Sequence, residues 1–327
     1  MKRIISLLIA AAVLLTLLCG CEIHQTEYRY GELSSVDHAV TEPDERETLG
    51  DKGAKNYRRL VDAVLCREES CAVDPGEAGP SFFTELLKEN PYGFLLSDIT
   101  WRDGAFWLSY AYDAAEQEEI VALMDETILS LLNRDASEKD NKLDKILKLY
   151  HSVTEYVGYD HSTSEITPLT DTHLRYPGDS VYRALREKTA KCYGFSYLFT
   201  FLMLQYDLDC FSVYGTCRSR GDSHMWNLFA YDGAYFYCDP AWDRSDDAYS
   251  KLINFGKTLA EREAEKVEAV PFEQYHEKGF EPPVCDDARF SLFRGIVRFS
   301  YISSHRFYMQ DFDENDYTFN TETFAFQ

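Results

Sequence analysis

The hydrophobic pattern of the chain is organised around residues 191–243. Phe195, Leu198, Phe199 and Leu202 recur at i, i+3, i+4 and i+7, the spacing of one helix face, and Tyr197, Phe201, Met203 and Leu204 fill the other sides. A helix that is apolar all round belongs inside a large domain. Two runs rich in aromatic and β-branched residues follow, Cys210–Cys217 and 225–231, and each reads as a strand. Asp232-Gly233 marks a tight hairpin between 225–231 and 234–239.

The same reading places a short helix over 181–188 and another over 54–66, spaced through Leu60, Val64 and Leu65. Ser81 is the expected N-cap of a further short helix, with Glu85 nearby. Strands are expected at 94–97 and 105–111, joined at Arg102-Asp103-Gly104, and helices at 115–132 and 140–157, the latter capped through Ser137-x-x-Asp140. Beyond Asp243 the wording weakens. A charged helix is expected over 250–267, prolines 271, 282 and 283 mark irregular connections, and 290–302 and 317–326 alternate as closing strands at the sheet edge. The predicted class is α+β, a buried helix on an antiparallel sheet. An N-terminal α+β region (53–135) packs on a core (136–327). No tandem repeat, phosphate loop or dinucleotide fingerprint occurs.

Three residue types in this frame suggest chemistry. Cys192 falls in the first turn of the buried helix, where unbonded amides and the helix dipole favour a thiolate. Gly194 leaves room for a substrate or another backbone at that turn. The hairpin sets His224 and Asp239 at the same end of neighbouring antiparallel strands, as a base and its orienting carboxylate. Asp311 to Asp316 lacks the glycine and closing glutamate of a calcium loop and reads as a solvated turn.

These residues carry a resemblance. Cys192-Tyr193-Gly194-Phe195-Ser196, His224-Met225-Trp226-Asn227 and Asp239-Pro240-Ala241-Trp242 resemble the transglutaminase-like branch of the papain-like cysteine enzymes. A weaker match at 145–160 resembles that family's helix leading into a Tyr-Asp turn. Met225, Ala241 and Ala190-Lys191 depart from the usual pattern, and Met225 is placed to narrow the cleft. The resemblance implies Cys192 as nucleophile, His224 as general base and acid, and Asp239 as imidazole orienter. It implies attack on a carboxamide, a thioester intermediate, and transfer to an amine or to water. The Cys192 amide is one oxyanion donor, and the second is not identified by the sequence. No cofactor is implied. Trp226, Asn227, Pro240 and Trp242 shape and pack the site.

The N-terminus adds a location. Lys2 and Arg3 precede an apolar run from 4 to 18 that is short for a membrane span and reads as a secretory signal. Its Leu18-Cys19-Gly20-Cys21 ending resembles the bacterial lipoprotein box, which implies cleavage after residue 20, lipidation of Cys21 and a membrane anchor on the extracytoplasmic face. Residues 21–52 read as a flexible acidic stalk.

Fifty-six acidic against 33 basic residues give a net charge of −23, which argues against nucleic acid as a partner. The expected partners are the membrane, through the lipid, and protein or peptide amides, including cell-wall peptides. Of nine cysteines, Cys66, Cys71, Cys210, Cys217, Cys238 and Cys285 remain for disulfides or reduced thiols, and no spacing among them fits zinc. Two alternatives stand beside the acyltransferase or amide hydrolase. One is a cell-wall peptidase of the NlpC type. The other is a binding or scaffold lipoprotein with the same fold and no activity.

Overall fold

The computed structural model describes residues 31–161, 176–217, 222–244, 250–269 and 283–327; the signal segment and Cys21 lie outside them. The described part of the expected stalk is folded. Helix α1 (Pro43–Leu65) opens on a capping box between Glu42 and Glu45, has proline in its first turn, and kinks at Gly50, whose φ is 57°. Ahead of it, the Asp37 amide donates to Gln205 at 2.7 Å, and the Ser212 amide donates to Glu42 at 2.8 Å. Val36 and Leu49 are buried. The segment is held by polar anchors and a few apolar residues, so its low average hydrophobicity concealed a docked structure.

Strand β1 (Ser70–Cys71), helix α2 (Gly79–Glu89), β2 (Leu96–Arg102) and β3 (Ala105–Tyr110) follow, with strand order β1-β3-β2. The β2–β3 hairpin turns at Asp103 and Gly104, both at positive φ, as a two-residue turn of this hand requires. The N-cap of α2 is Ala78 rather than Ser81, because Pro80 suits the first turn. The strand expected at 94–97 begins at Leu96, after a 3₁₀ turn over Gly93–Leu95. Helix α3 (Ala114–Asn133) is capped by Asp113, and α4 (Lys142–Tyr156) by Asn141 with Asp144. Asp140, expected in the cap of α4, is instead buried against Lys148 at 2.7 Å and Lys145 at 3.4 Å.

Strand β4 (Gly158–Tyr159) pairs in parallel with β5 (Thr189–Ala190), across helix α5 (Tyr176–Glu187). Next come α6 (Cys192–Gln205), β6 (Cys210–Cys217), β7 (Asp222–Tyr231), β8 (Ala234–Cys238) and the four-residue α7 (Pro240–Asp243). Helix α8 (Leu259–Ala264) and β9 (Val267–Ala269) complete an antiparallel sheet of order β8-β7-β6-β9. Asp232 and Gly233, with φ of 49° and 76°, close the predicted β7–β8 hairpin. Only six residues of the expected 250–267 helix are helical. Residues before it run along β8 instead, where Tyr237 and Lys257 exchange both backbone hydrogen bonds at 2.9 and 2.8 Å. Gly256 permits this path: its φ is 68°, and a Cβ there would lie 2.3 Å from Phe290 Cβ.

The C-terminal strands do not extend that sheet. After a 3₁₀ turn (Arg289–Phe293), β10 (Ile296–Ser303), β11 (Arg306–Asp311), β12 (Asp316–Asn320) and β13 (Ala325–Phe326) form a separate four-stranded sheet; β11 was not expected. Rings bridge it to the β8-β7-β6-β9 sheet, Phe229–Phe255 at 5.0 Å, Phe255–Phe290 at 5.3 Å and Phe293–Phe319 at 4.9 Å between centroids. One continuous apolar cluster runs from Val36 to Phe319, so the N-terminal layer and the core share an interior. At the β11–β12 turn Asp311 accepts the Asp313 and Asn315 amides, which makes it a self-satisfied turn. The seven described cysteines are free thiols.

Candidate active site

Cys192 is the first residue of α6 and is 3% exposed. Lys191 before it is extended, with φ −90° and ψ −177°, and caps the helix with no side-chain hydrogen bond. The first-turn amides therefore remain directed at the space around the sulfur, together with the positive end of the dipole. The approach is braced from the side. The Gly158 amide donates to Lys188 O at 2.8 Å and the Asp160 amide to Ala190 O at 2.9 Å, which fixes the Tyr159-Asp160 turn beside the start of α6.

Asn227 sets α6 against the sheet. Its Nδ2 donates to Ser196 O at 2.9 Å and to Thr200 Oγ1 at 2.8 Å, two positions one turn apart on the helix. Being fully buried, it makes the position of α6 relative to β7 specific rather than merely greasy. His224 stands three residues earlier on β7. Asp239 directly follows β8 and serves as N-cap of α7, accepting the Trp242 amide on Oδ1 at 3.1 Å. The hairpin register pairs Asn227 with Cys238, which brings Asp239 to the His224 end of the strands.

The structure brings the three predicted residues together. His224 Nε2 lies 2.7 Å from Asp239 Oδ2. The imidazole also interacts with the Cys192 thiol by hydrogen bond and charge. With Nε2 engaged by the carboxylate, Nδ1 is the nitrogen left for sulfur. Burial alone would strip the proton from His224. Asp239 and then Cys192 outweigh it and push the imidazole up to about 10. Burial likewise works against ionisation of Asp239, but His224, Arg262 and the Trp242 amide hold its carboxyl below the ordinary range. The ring of His224 is covered by Trp242, stacked at 4.6 Å and 15°, with Trp226 at 5.8 Å.

Met225, expected to narrow the cleft, is buried in the main core on the strand face opposite His224, because successive strand residues alternate sides. Arg262 was missed. It comes from α8, is buried, and its Nη2 lies 3.4 Å from Asp239 Oδ2. In the sequence it sits in Leu259-Ala260-Glu261-Arg262-Glu263-Ala264, which reads as a solvated face, 23 residues beyond its partner. At the far end of α7 a second buried acid, Asp243, faces Tyr150 OH at 2.8 Å and the Asn254 amide at 3.0 Å; burial pushes it up to about 6. Among the described residues no group of three or more His, Cys, Asp or Glu side chains is arranged to hold a metal. Nor is any described helix long and apolar enough to cross a membrane.

Comparison with known proteins gives a family match for part of the chain. Residues 130–240, which include all three side chains, match the family model of the transglutaminase-like superfamily. No curated protein matches the chain. Among solved structures it is similar to one described as a TGase, at 16% identity and a TM-score of 0.31, over 46% of this chain and 44% of that one. It is also similar to a candidate cysteine protease from Cytophaga hutchinsonii, at 12% identity and a TM-score of 0.27, over 40% and 43%. The match thus spans less than half the length of either structure.

Proposed function

With a transglutaminase-like domain over residues 130–240 as the premise, we propose that this chain is a cysteine-dependent enzyme that opens carboxamide or peptide bonds through a thioester. Cys192 is its nucleophile, His224 its proton carrier and Asp239 the orienting carboxylate. The observation that carries the reading is the buried 2.7 Å contact between His224 and Asp239, with the same imidazole engaging the Cys192 thiol.

The Cys192 proton passes to Nδ1 of His224. The sulfur bonds to the carbonyl carbon, and the carbonyl pair moves to oxygen. The Cys192 amide, in an uncapped helical turn, supports that oxyanion. As the C–N bond breaks, His224 returns the proton to the departing amine or ammonia, and a thioester remains. Water or a second amine then attacks, its proton passing to His224 and on to the released sulfur. Asp239 stays ionised throughout and holds the ring by Nε2.

The proposed setting is the extracytoplasmic face of a membrane, with Cys21 lipidated and protein or cell-wall peptide amides as substrates. Labelling cells with a radioactive fatty acid tests the anchor, since label should reach the wild-type protein and be lost from Cys21→Ser. For the chemistry, incubation with amide-bearing envelope peptides should leave an acyl adduct on Cys192 by mass spectrometry. Cys192→Ala should melt like wild type and lose the adduct. Full turnover by that variant would end the enzymatic reading. One observation favours a binding or scaffold role instead, the 3% and 5% exposure of Cys192 and His224; failure of a small electrophile to alkylate Cys192 would support it.

A further inference from the structure

The carboxylate that orients His224 is shared with a second cation. Arg262 approaches Asp239 from α8, outside the segment that matches the family model. Its guanidinium lies 4.8 Å from the Trp226 ring centroid and 5.1 Å from that of Trp242, so both aromatic rings that border His224 also face Arg262. Nη1 is 3.5 Å from Glu265 Oε2, and Glu265 in turn contacts Lys257, which bonds Asn254 Oδ1 at 2.8 Å. Nε is buried with no hydrogen-bond partner among the described residues. A guanidinium 2% exposed is held there against a large desolvation cost, which the carboxylates of Asp239 and Glu265 and two rings must offset.

We propose that Arg262 is a positioning residue for the candidate site, aiming the Asp239 carboxylate and sharing its charge so that His224 can release its proton. The inference rests on the reading of Cys192, His224 and Asp239 as the working groups. Asp239 Oδ1 is fixed by the Trp242 amide, and Oδ2 receives both His224 and Arg262. The carboxylate is therefore held at three points and cannot rotate away from the ring. Its charge is also divided. A buried aspartate facing imidazole alone would bind the imidazolium so tightly that proton return to a leaving amine becomes slow. A guanidinium on the same oxygen weakens that grip.

The experiment titrates His224 by NMR and measures Cys192 alkylation by iodoacetamide against pH, resolving the modified peptide by mass spectrometry. In Arg262→Met, which keeps the length of the side chain between the rings, the His224 value should rise by about one unit, as expected for removal of a like charge within ~6 Å. Arg262→Lys, which keeps the charge, should restore most of it. If Arg262→Met does not fold, Glu265→Gln decides: it removes a counter-charge from the far side of the guanidinium, and the His224 value should move down. Turnover of Arg262→Met should fall about tenfold in kcat with little change in KM, as for a slowed proton transfer. An unchanged or lowered His224 value in folded Arg262→Met, or an unmoved value in Glu265→Gln, overturns the inference. These titrations need no substrate, so they stand even if no amide is ever turned over. Conversely, normal titration shifts with an inert Cys192 would refute the enzymatic reading alone.

Discussion

The two flanks of α6 treat buried acids in opposite ways. At its N-terminal end Asp239 is wholly buried yet held below the ordinary carboxyl range, because His224 and Arg262 face it. On its flank, Glu42 and Glu45 lie with Glu89 around a cavity of about 40 Å³ that α6 lines through Tyr197 and Thr200. There burial and then neighbouring acids push Glu42 and Glu45 well above the ordinary range. Counter-charge, more than depth, separates an acid held below the ordinary range from one pushed above it. The first region favours the charged carboxylate, the second disfavours it.

The contrast breaks most sharply at α7, whose two ends carry Asp239 and Asp243. Asp239→Asn should lower kcat by about 10³–10⁴, since an amide cannot hold the imidazole in the same tautomer or stabilise its cation. Asp243→Asn should cost far less, because Asp243 faces Tyr150 and Asn254 rather than a cation. Comparable losses in steady-state kinetics would show that charge is not what distinguishes them.

The pH dependence sharpens the same point. With His224 pushed from its ordinary 6.5 to about 10, its contribution to stability is complete below about 6.5 and disappears as pH rises through about 10. Asp239 contributes above its ordinary 3.8 and loses that contribution as pH falls through its lowered value. The activity profile should therefore fall away near pH 10, and Cys192→Ala should move the His224 titration downward, because the thiol supports the proton there. A His224 NMR titration centred near 6.5 in wild type would contradict both.

The smallest effect is expected on the flank. Glu45 is raised, so its contribution is present below about 4.5 and lost as pH rises through its folded value. Glu45→Gln keeps an oxygen for the Glu42 amide and removes the latent charge. It should raise Tm at pH 8 by roughly 1–2 °C, the size of about 1 kcal/mol in a chain of this length, and by less at pH 5. A uniform shift at both pH values would mean that the carboxyl is not protonated in the fold.

What the sequence disclosed follows from how locally each feature is specified. The apolar run of α6 and the Asp-Gly hairpins at 103–104 and 232–233 are set by side chains within a few residues, and they were legible. The expected end of β7 and β8 where His224 and Asp239 meet followed from that hairpin alone. Docking of residues 31–52 was not legible, because it depends on polar pairs such as Asp37 with Gln205, 168 positions apart. Arg262 was invisible for the same reason, a charged residue in a charged helix whose burial comes from Trp226 and Trp242 elsewhere. Of the C-terminal strands, β11 was missed and the others were recognised as strands but assigned to the wrong sheet, since alternation fixes a strand's faces and not its neighbours.

The free thiols have a practical consequence. Burial pushes up Cys71, Cys210 and Cys238, and Cys285 to about 12, which withdraws four sulfurs from nucleophilic competition at neutral pH. The protein is thereby equipped for covalent profiling as it stands. A mild electrophilic tag with a fluorescent handle has few sulfurs to choose among, and occupancy at the mouth of α6 would report ligand entry in whole cells without any prior substrate in hand.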